Sequence, residues 1–223
     1  MAQESTPCLT LCQIAVYPSS PMASLTRRTE AQTEKRAAVE TLVLEATEAL
    51  LGEGRSYAEL KIEEIATRAG ISRTAFYFYF RDKRELLMRL TEDVADALYA
   101  EADAWWSGGD GSEGLERALA NVIALYREHG VLLRAVVEAS AYDEAVAGFW
   151  RALVGRFVEA SRRRIEEEQA RGAMTGVAAE ATAFALTWMT ERACYERLAQ
   201  GDDLTDDFQT GLVHVWVSAL YGR

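Results

Sequence analysis

Prolines, histidines and cysteines are scarce in this chain, at three, two and three in 223 residues, and each scarcity excludes something. The cysteines, Cys8, Cys12 and Cys194, are odd in number and form no C-x-x-C pair, which argues against a disulfide framework and for reduced thiols in a cytoplasmic protein. His129 and His214 are far apart with no ligand spacing around either, so ordinary structural histidines are a better account than a metal site. The sequence contains no G-x-S-x-G, P-loop, dinucleotide fingerprint or H-E-x-x-H, and no cysteine with a positioned histidine, so neither an enzyme nor a cofactor is expected. The apolar run over residues 8–17 is far below the about 20 residues that span a bilayer and follows only Glu4, which excludes it as signal peptide or membrane anchor.

Apolar residues make up 49% of the chain, enough for a real core, and the net charge is −11. That charge is unevenly spread. Residues 1–89 carry 12 Lys+Arg against 12 Asp+Glu, and residues 90–223 carry 12 against 23. Within 68–89, Arg68, Arg73, Arg81, Lys83, Arg84 and Arg89 face only Asp82 and Glu85, a local basic patch on an acidic protein. Such an arrangement discourages indiscriminate polyanion binding and permits an oriented contact.

From Lys35 onward apolar residues recur at helical spacing and no stretch alternates as a strand would, so the fold class is all-α, with about nine helices. Val39, Val43, Ala46 and Leu50 mark a first helix over about 35–52, and residues 1–33, rich in Ser, Thr, Pro and Gln, are expected to be disordered. Ile62, Ile65, Ala66 and Ala69 give a short helix ending at Gly70. Ser72 is a candidate N-cap for another over 72–78, and Asp82 with Glu85 resembles a capping box opening a long helix over 82–106. The glycine-rich stretch 107–114 is the clearest loop. Beyond it, helices are expected at about 112–128, 131–139, 143–170, 177–200 and 204–221. The domains expected are a helix-turn-helix over 34–81 and a helical domain over 82–223, joined by helix 82–106.

Two short helices joined by a glycine-containing turn, followed by aromatics and a basic helix start, have the layout of a helix-turn-helix. In that layout the second short helix enters the major groove. It presents Ser72, Arg73, Thr74 and Tyr77; an arginine fork suits a guanine edge and hydroxyls suit phosphate oxygens. Lys83, in the first turn of the next helix, is expected to build an anion site with backbone N–H groups. Phe76 and Phe80 are assigned to core. Arg27 and Arg28 fit an exposed basic pair better than a minor-groove arm.

The run Ile65-Ala66-x-x-Ala69-Gly70-Ile71-Ser72-x-x-x-Phe76-Tyr77-x-Tyr79-Phe80-x-x-Lys83-x-x-Leu86-Leu87 resembles the DNA-binding domain of TetR-family regulators. With Val43-Leu44-x-Ala46 and Leu50-Leu51-x-x-Gly54, the resemblance covers residues 36–90. It implies a homodimer whose recognition helices enter successive major grooves of an operator, with Tyr77, Tyr79 and Lys83 on phosphates. Phe76 to Phe80, Phe149-Trp150, Glu191-Arg192 and the ending from His214 to Gly222 resemble more narrowly the branch of that family related to the repressor of ethionamide activation. That likeness implies an apolar tunnel lined by Trp150, Phe157, Thr187, Thr190, Glu191 and Trp216, taking a small hydrophobic effector. Thr187, Thr190 and Phe157 depart from that branch, so effector identity is not carried over.

Large aromatics at helical spacing are otherwise core, and polar residues on an apolar face otherwise hydrogen-bonded core, so both readings stay open for these positions. Trp105 and Trp106 sit at a loop edge. The broad apolar stripes on the last two helices suggest that a second copy covers them. Arg162-Arg163-Arg164 before Glu166-Glu167-Glu168 suits a solvated, self-neutralising helix face. The function expected is a ligand-responsive DNA-binding transcriptional regulator, a repressor released from its operator by the effector. The rival is a helical interaction or ligand-carrier protein without specific DNA binding.

Overall fold

The computed structural model describes residues 22–108, 110–174 and 176–222, with side chains from residue 34 onward. Among them are eight helices and no strand: α1 (Met22–Gly52), α2 (Ile62–Arg68), α3 (Arg73–Tyr79), α4 (Lys83–Trp106), α5 (Gly111–Ser140), α6 (Glu144–Ala170), α7 (Ala179–Ala199) and α8 (Asp206–Tyr221). The chain divides into two compact units, Met1–Ala38 and Val39–Arg223. The expected disorder of residues 1–21 lies outside the described residues, as does the reading of the Arg27 and Arg28 side chains. Residues 22–33 are helical, contrary to expectation, because neither proline nor glycine interrupts the chain between Met22 and Gly52.

Within Val39–Arg223 the short helices are delimited as their chemistry requires. The Ser72 hydroxyl accepts the Ala75 N–H at 3.0 Å and starts α3. Gly70, at φ +71°, ends α2 with paired bonds from Gly70 N to Thr67 O and from Ile71 N to Ala66 O, a closure that needs a left-handed residue. Asp82 caps α4 by accepting from Glu85 N at 2.8 Å, but the reciprocal half of the expected box is displaced. Glu85 reaches Arg81, accepting from its N and Nε at 2.8 and 2.9 Å, not from Asp82.

Val43, Ile65, Phe76, Phe80, Leu86 and Leu87 are almost wholly buried in one core that runs on to Leu132, Val136 and Trp150. Burying each large side chain of this kind stabilises by about 1.5–3 kcal/mol. The long helix α4 buries Leu86, Leu90, Val94, Leu98, Ala102 and Trp105, the stripe foreseen from spacing. It packs chiefly on α5. Helix α5 begins at Gly111, so residues 111–114 of the expected loop are helical.

The helix count falls short of nine because residues 112–128 and 131–139 belong to one helix. Gly130 does not break α5; the chain bends at His129 (φ −107°, ψ 18°) and continues. A Cβ at Gly130 would lie 3.0 Å from a Leu198 methyl, so the glycine serves the approach of α7. His129 is structural, its Nδ1 3.1 Å from Glu48 Oε1. In the arginine–glutamate run, Arg162 bridges Glu159 and Glu166 on the surface as anticipated, whereas Arg164 and Glu168 form a buried pair at 2.6 Å.

Lys83 ties the segment after α1 to the start of α4. Its ammonium donates to Tyr57 O, Ala58 O and Leu60 O at 2.6, 3.0 and 2.9 Å and lies 5.0 Å from the Tyr57 ring, while the Tyr57 hydroxyl donates back to the Lys83 carbonyl. Lys83→Met keeps the stem and deletes all three donors. It is expected to cost about 2 kcal/mol, lowering Tm by roughly 4–8 °C in a thermal melt without DNA; an unchanged Tm would refute the structural role.

Candidate DNA-reading face and ligand cavity

The residues expected to meet DNA divide into two groups. Arg73, Thr74 and Tyr77 are exposed on α3, with Ser72 at its cap, and the Arg73 guanidinium stands 6.0 Å from the Tyr77 ring. Tyr79 is only half exposed and packs against the core. Lys83 is a correction. An ammonium has three donors, and here all three are used by carbonyls, so no donor remains for a phosphate. Partial burial also draws its pKa below the ordinary lysine range. Two residues outside the expected set of DNA contacts are also exposed here: Phe78, 77% exposed on α3, and Arg81 of the basic patch, whose side chain is 86% exposed just beyond it.

The basic patch is also less basic than its sequence window. Arg68 pairs with Glu53 at 2.6 Å, Arg73 with Glu63 at 2.5 Å, Arg84 with Asp143 at 2.6 Å and Arg89 with Glu40 at 2.8 Å. Those four carboxylates lie outside residues 68–89 and offset the surplus of four (six basic minus two acidic) counted there. The pairs of Arg68 and Arg73 are exposed on both sides and contribute little in water, so there a phosphate or base edge can exchange with the carboxylate. Asp143 also caps α6, accepting from Ala145 N and Val146 N, and the Arg84 guanidinium beside it lowers its pKa.

The second site is a cavity enclosed by α4, α5, α6, α7 and α8, with about 750 Å³ of space including its open mouth. Trp150, Phe157, Thr187, Thr190, Glu191 and Trp216, all anticipated, line it together. Trp105 and Trp106, placed by sequence at a loop edge, are in the wall as well, because the α4 face that carries Ala95, Leu98 and Ala102 continues into them. Tyr126 of α5 is a further wall residue that sequence reasoning missed; only its place on the buried face of α5 signals it.

All four indoles of this wall donate hydrogen bonds, Trp105 Nε1 to the Tyr221 hydroxyl and Trp106 Nε1 to Ser161 Oγ, each at 3.3 Å. Trp216 Nε1 donates to Thr190 Oγ1 at 2.8 Å, and that hydroxyl donates to Leu186 O at 2.9 Å. Trp150 Nε1 donates to Glu191 Oε1 at 3.2 Å. Trp105 meets Trp216 edge to face with centroids 5.9 Å apart, and Trp106 meets Phe157 likewise at 5.6 Å. Glu191 is 4% exposed, and this desolvation raises its pKa above the usual carboxyl range, partly opposed by Arg192 and the Trp150 bond. Burial and the neighbouring Glu191 push the Cys194 thiol up to about 12, so it is inert as a nucleophile.

Residues 43–90 match the family described as bacterial regulatory proteins, tetR family, and residues 115–222 match the C-terminal domain of the transcriptional regulator EthR. The HTH-type transcriptional regulator EthR of Mycobacterium tuberculosis is 30% identical over 194 residues, covering 82% of this chain and 88% of its own length. Its counterpart in Mycolicibacterium smegmatis is 29% identical over 192 residues, covering 82% and 86%. The transcriptional regulator FadR from Bacillus subtilis, solved in complex with stearoyl-CoA, shares the fold at 15% identity, with a TM-score of 0.67 over 80% of this chain and 98% of that one. A helix-turn-helix closed by Gly70 and Ser72, followed by five helices around one cavity, thus coincides with both matched regions, and the chain belongs to the TetR family of bacterial transcriptional regulators.

Proposed function

We propose that the protein is a cytoplasmic, homodimeric repressor that binds an operator through α3 and is released from it when a small hydrophobic effector fills the cavity. The observation that carries this reading is that α4 serves both sites: its first residue, Lys83, ties down the segment ahead of α2, and its last turns, through Trp105 and Trp106, wall the cavity. A ligand that favours one placement of α4 thereby favours one spacing of the two recognition helices, which is a population shift. The role is that of a regulator and not an enzyme. Ser72, Arg73, Thr74, Tyr77 and Tyr79 are the proposed DNA contacts, with Arg81 added for its exposure.

Dimerisation is proposed through α7 and α8. Phe184 and Val215, 57% and 42% exposed, leave an apolar face there that one subunit does not cover. The double variant Phe184→Glu, Val215→Glu is expected to run as a monomer in size-exclusion chromatography with helicity kept; a dimer of unchanged stability would place the interface elsewhere.

A gel shift with the protein's own upstream region separates the regulator from a carrier protein. Arg73→Ala is expected to relax preference at one base position at a cost of about 1–3 kcal/mol. Arg81→Ala should weaken all duplexes alike and flatten the salt dependence by about one phosphate contact. Equal, sequence-blind losses in both would reject the assignment. Trp216→Ala is expected to change effector response at least tenfold with operator affinity kept within about threefold, a separation read by anisotropy with and without effector.

A further inference from the structure

Two oxygens in the cavity wall lack the partners that such atoms ordinarily find. Among the described residues, Thr187 Oγ1 and Glu191 Oε2 are buried without a hydrogen-bond partner. They are four residues apart on α7, hence on one face, and both residues line the cavity. Other buried helical threonines behave differently: Thr47, Thr91 and Thr190 donate to the carbonyl four residues earlier at 2.7, 2.7 and 2.9 Å. Thr187 makes no such bond.

Glu191 is half satisfied, since Oε1 accepts from Trp150. Arg192 Nε stands 3.8 Å from Oε2, beyond hydrogen-bond reach, and its half-exposed guanidinium is shared with Glu196 at 3.7 Å and with the Tyr195 ring at 4.9 Å. Its charge is therefore screened and turned partly outward. The oxygens left without a partner are one of the Glu191 carboxyl and the Thr187 hydroxyl, in a lining that also holds Ser161 and the rings of Trp105, Trp106, Tyr126, Phe157 and Trp216.

We propose that the effector is an amphiphilic cation, an apolar body bearing a protonated amine whose N–H groups are taken up by Glu191 Oε2 and Thr187 Oγ1. This rests on the reading of the cavity as the effector site. An ammonium offers only donors, the complement of these oxygens. It also brings a positive charge within hydrogen-bond reach of Oε2, where Arg192 stands 3.8 Å off and is shared with Glu196, and the aromatic wall attracts it through the ring faces. A neutral alcohol satisfies an oxygen but leaves the charge to the distant, shared Arg192 alone, and a carboxylate ligand adds a like charge beside Glu191.

The test uses the full-length protein and three probes that differ only in the head group: phenylbutylamine, phenylbutanol and phenylbutyrate, titrated near neutral pH by tryptophan fluorescence. The amine is expected to bind at least about tenfold more tightly than the alcohol, and the acid more weakly than either. Glu191→Gln should bring amine and alcohol to within about threefold while alcohol binding persists, which also certifies the variant's fold. Thr187→Val should weaken the amine more than the alcohol. Alcohol binding with no advantage for the amine in the wild-type protein, or an advantage that survives Glu191→Gln, would overturn the cation assignment and leave the cavity as effector site. Failure of all three probes to bind would overturn both.

Discussion

The buried face of α4 is the constraint on which the rest of Val39–Arg223 depends. At one end Leu86, Leu87 and Leu90 complete the small core built by Val43, Ile65, Phe76 and Phe80. At the other, Leu98, Ala102 and Trp105 are wall and core to the five-helix body. A helix shared in this way cannot adjust to one neighbour without presenting a changed surface to the other, because packed side chains leave no slack at the scale of a methyl group. The Lys83 ammonium on three carbonyls and the Arg84–Asp143 pair fasten its first turn from both sides, to residues 57–60 and to the cap of α6.

Polar atoms inside the cavity extend the same logic. Thr190 and Glu191 are spent on holding the indoles of Trp216 and Trp150, so the ring walls keep fixed orientations. Preorganised walls reduce what a ligand must order on binding. The carboxyl of Glu191 is costly to bury half-satisfied, and in an otherwise apolar cavity that cost is consistent with a site that selects its ligand by a head group.

Much of this was legible in the sequence, and where it was not the reason is physical. Ser72 as cap, Gly70 as terminator and the α4 stripe follow from local rules, and the structure keeps them. The six cavity residues came together as the family resemblance implied, because their helical spacing puts them on faces that turn inward. At Lys83 the sequence shows a charge at a helix start but not the three carbonyls that the turn over residues 57–60 aims at it. The basic patch was overestimated for a similar reason: Glu40, Glu53, Glu63 and Asp143 are remote in sequence from the arginines they neutralise. Gly130 was read as a break, but helix α5 bends at His129 and uses the missing side chain to admit Leu198.

The proposed coupling between α3 and the cavity runs through α4, and the protein carries its own reporters for it. All five tryptophans lie beyond α3, and Trp105, Trp106, Trp150 and Trp216 line the cavity. Titrating the protein with a duplex from its own upstream region, while following duplex binding by anisotropy and tryptophan emission in parallel, reads that coupling without any ligand. A saturable change in emission that tracks binding is the predicted result; full binding of the duplex with unaltered tryptophan emission would contradict it.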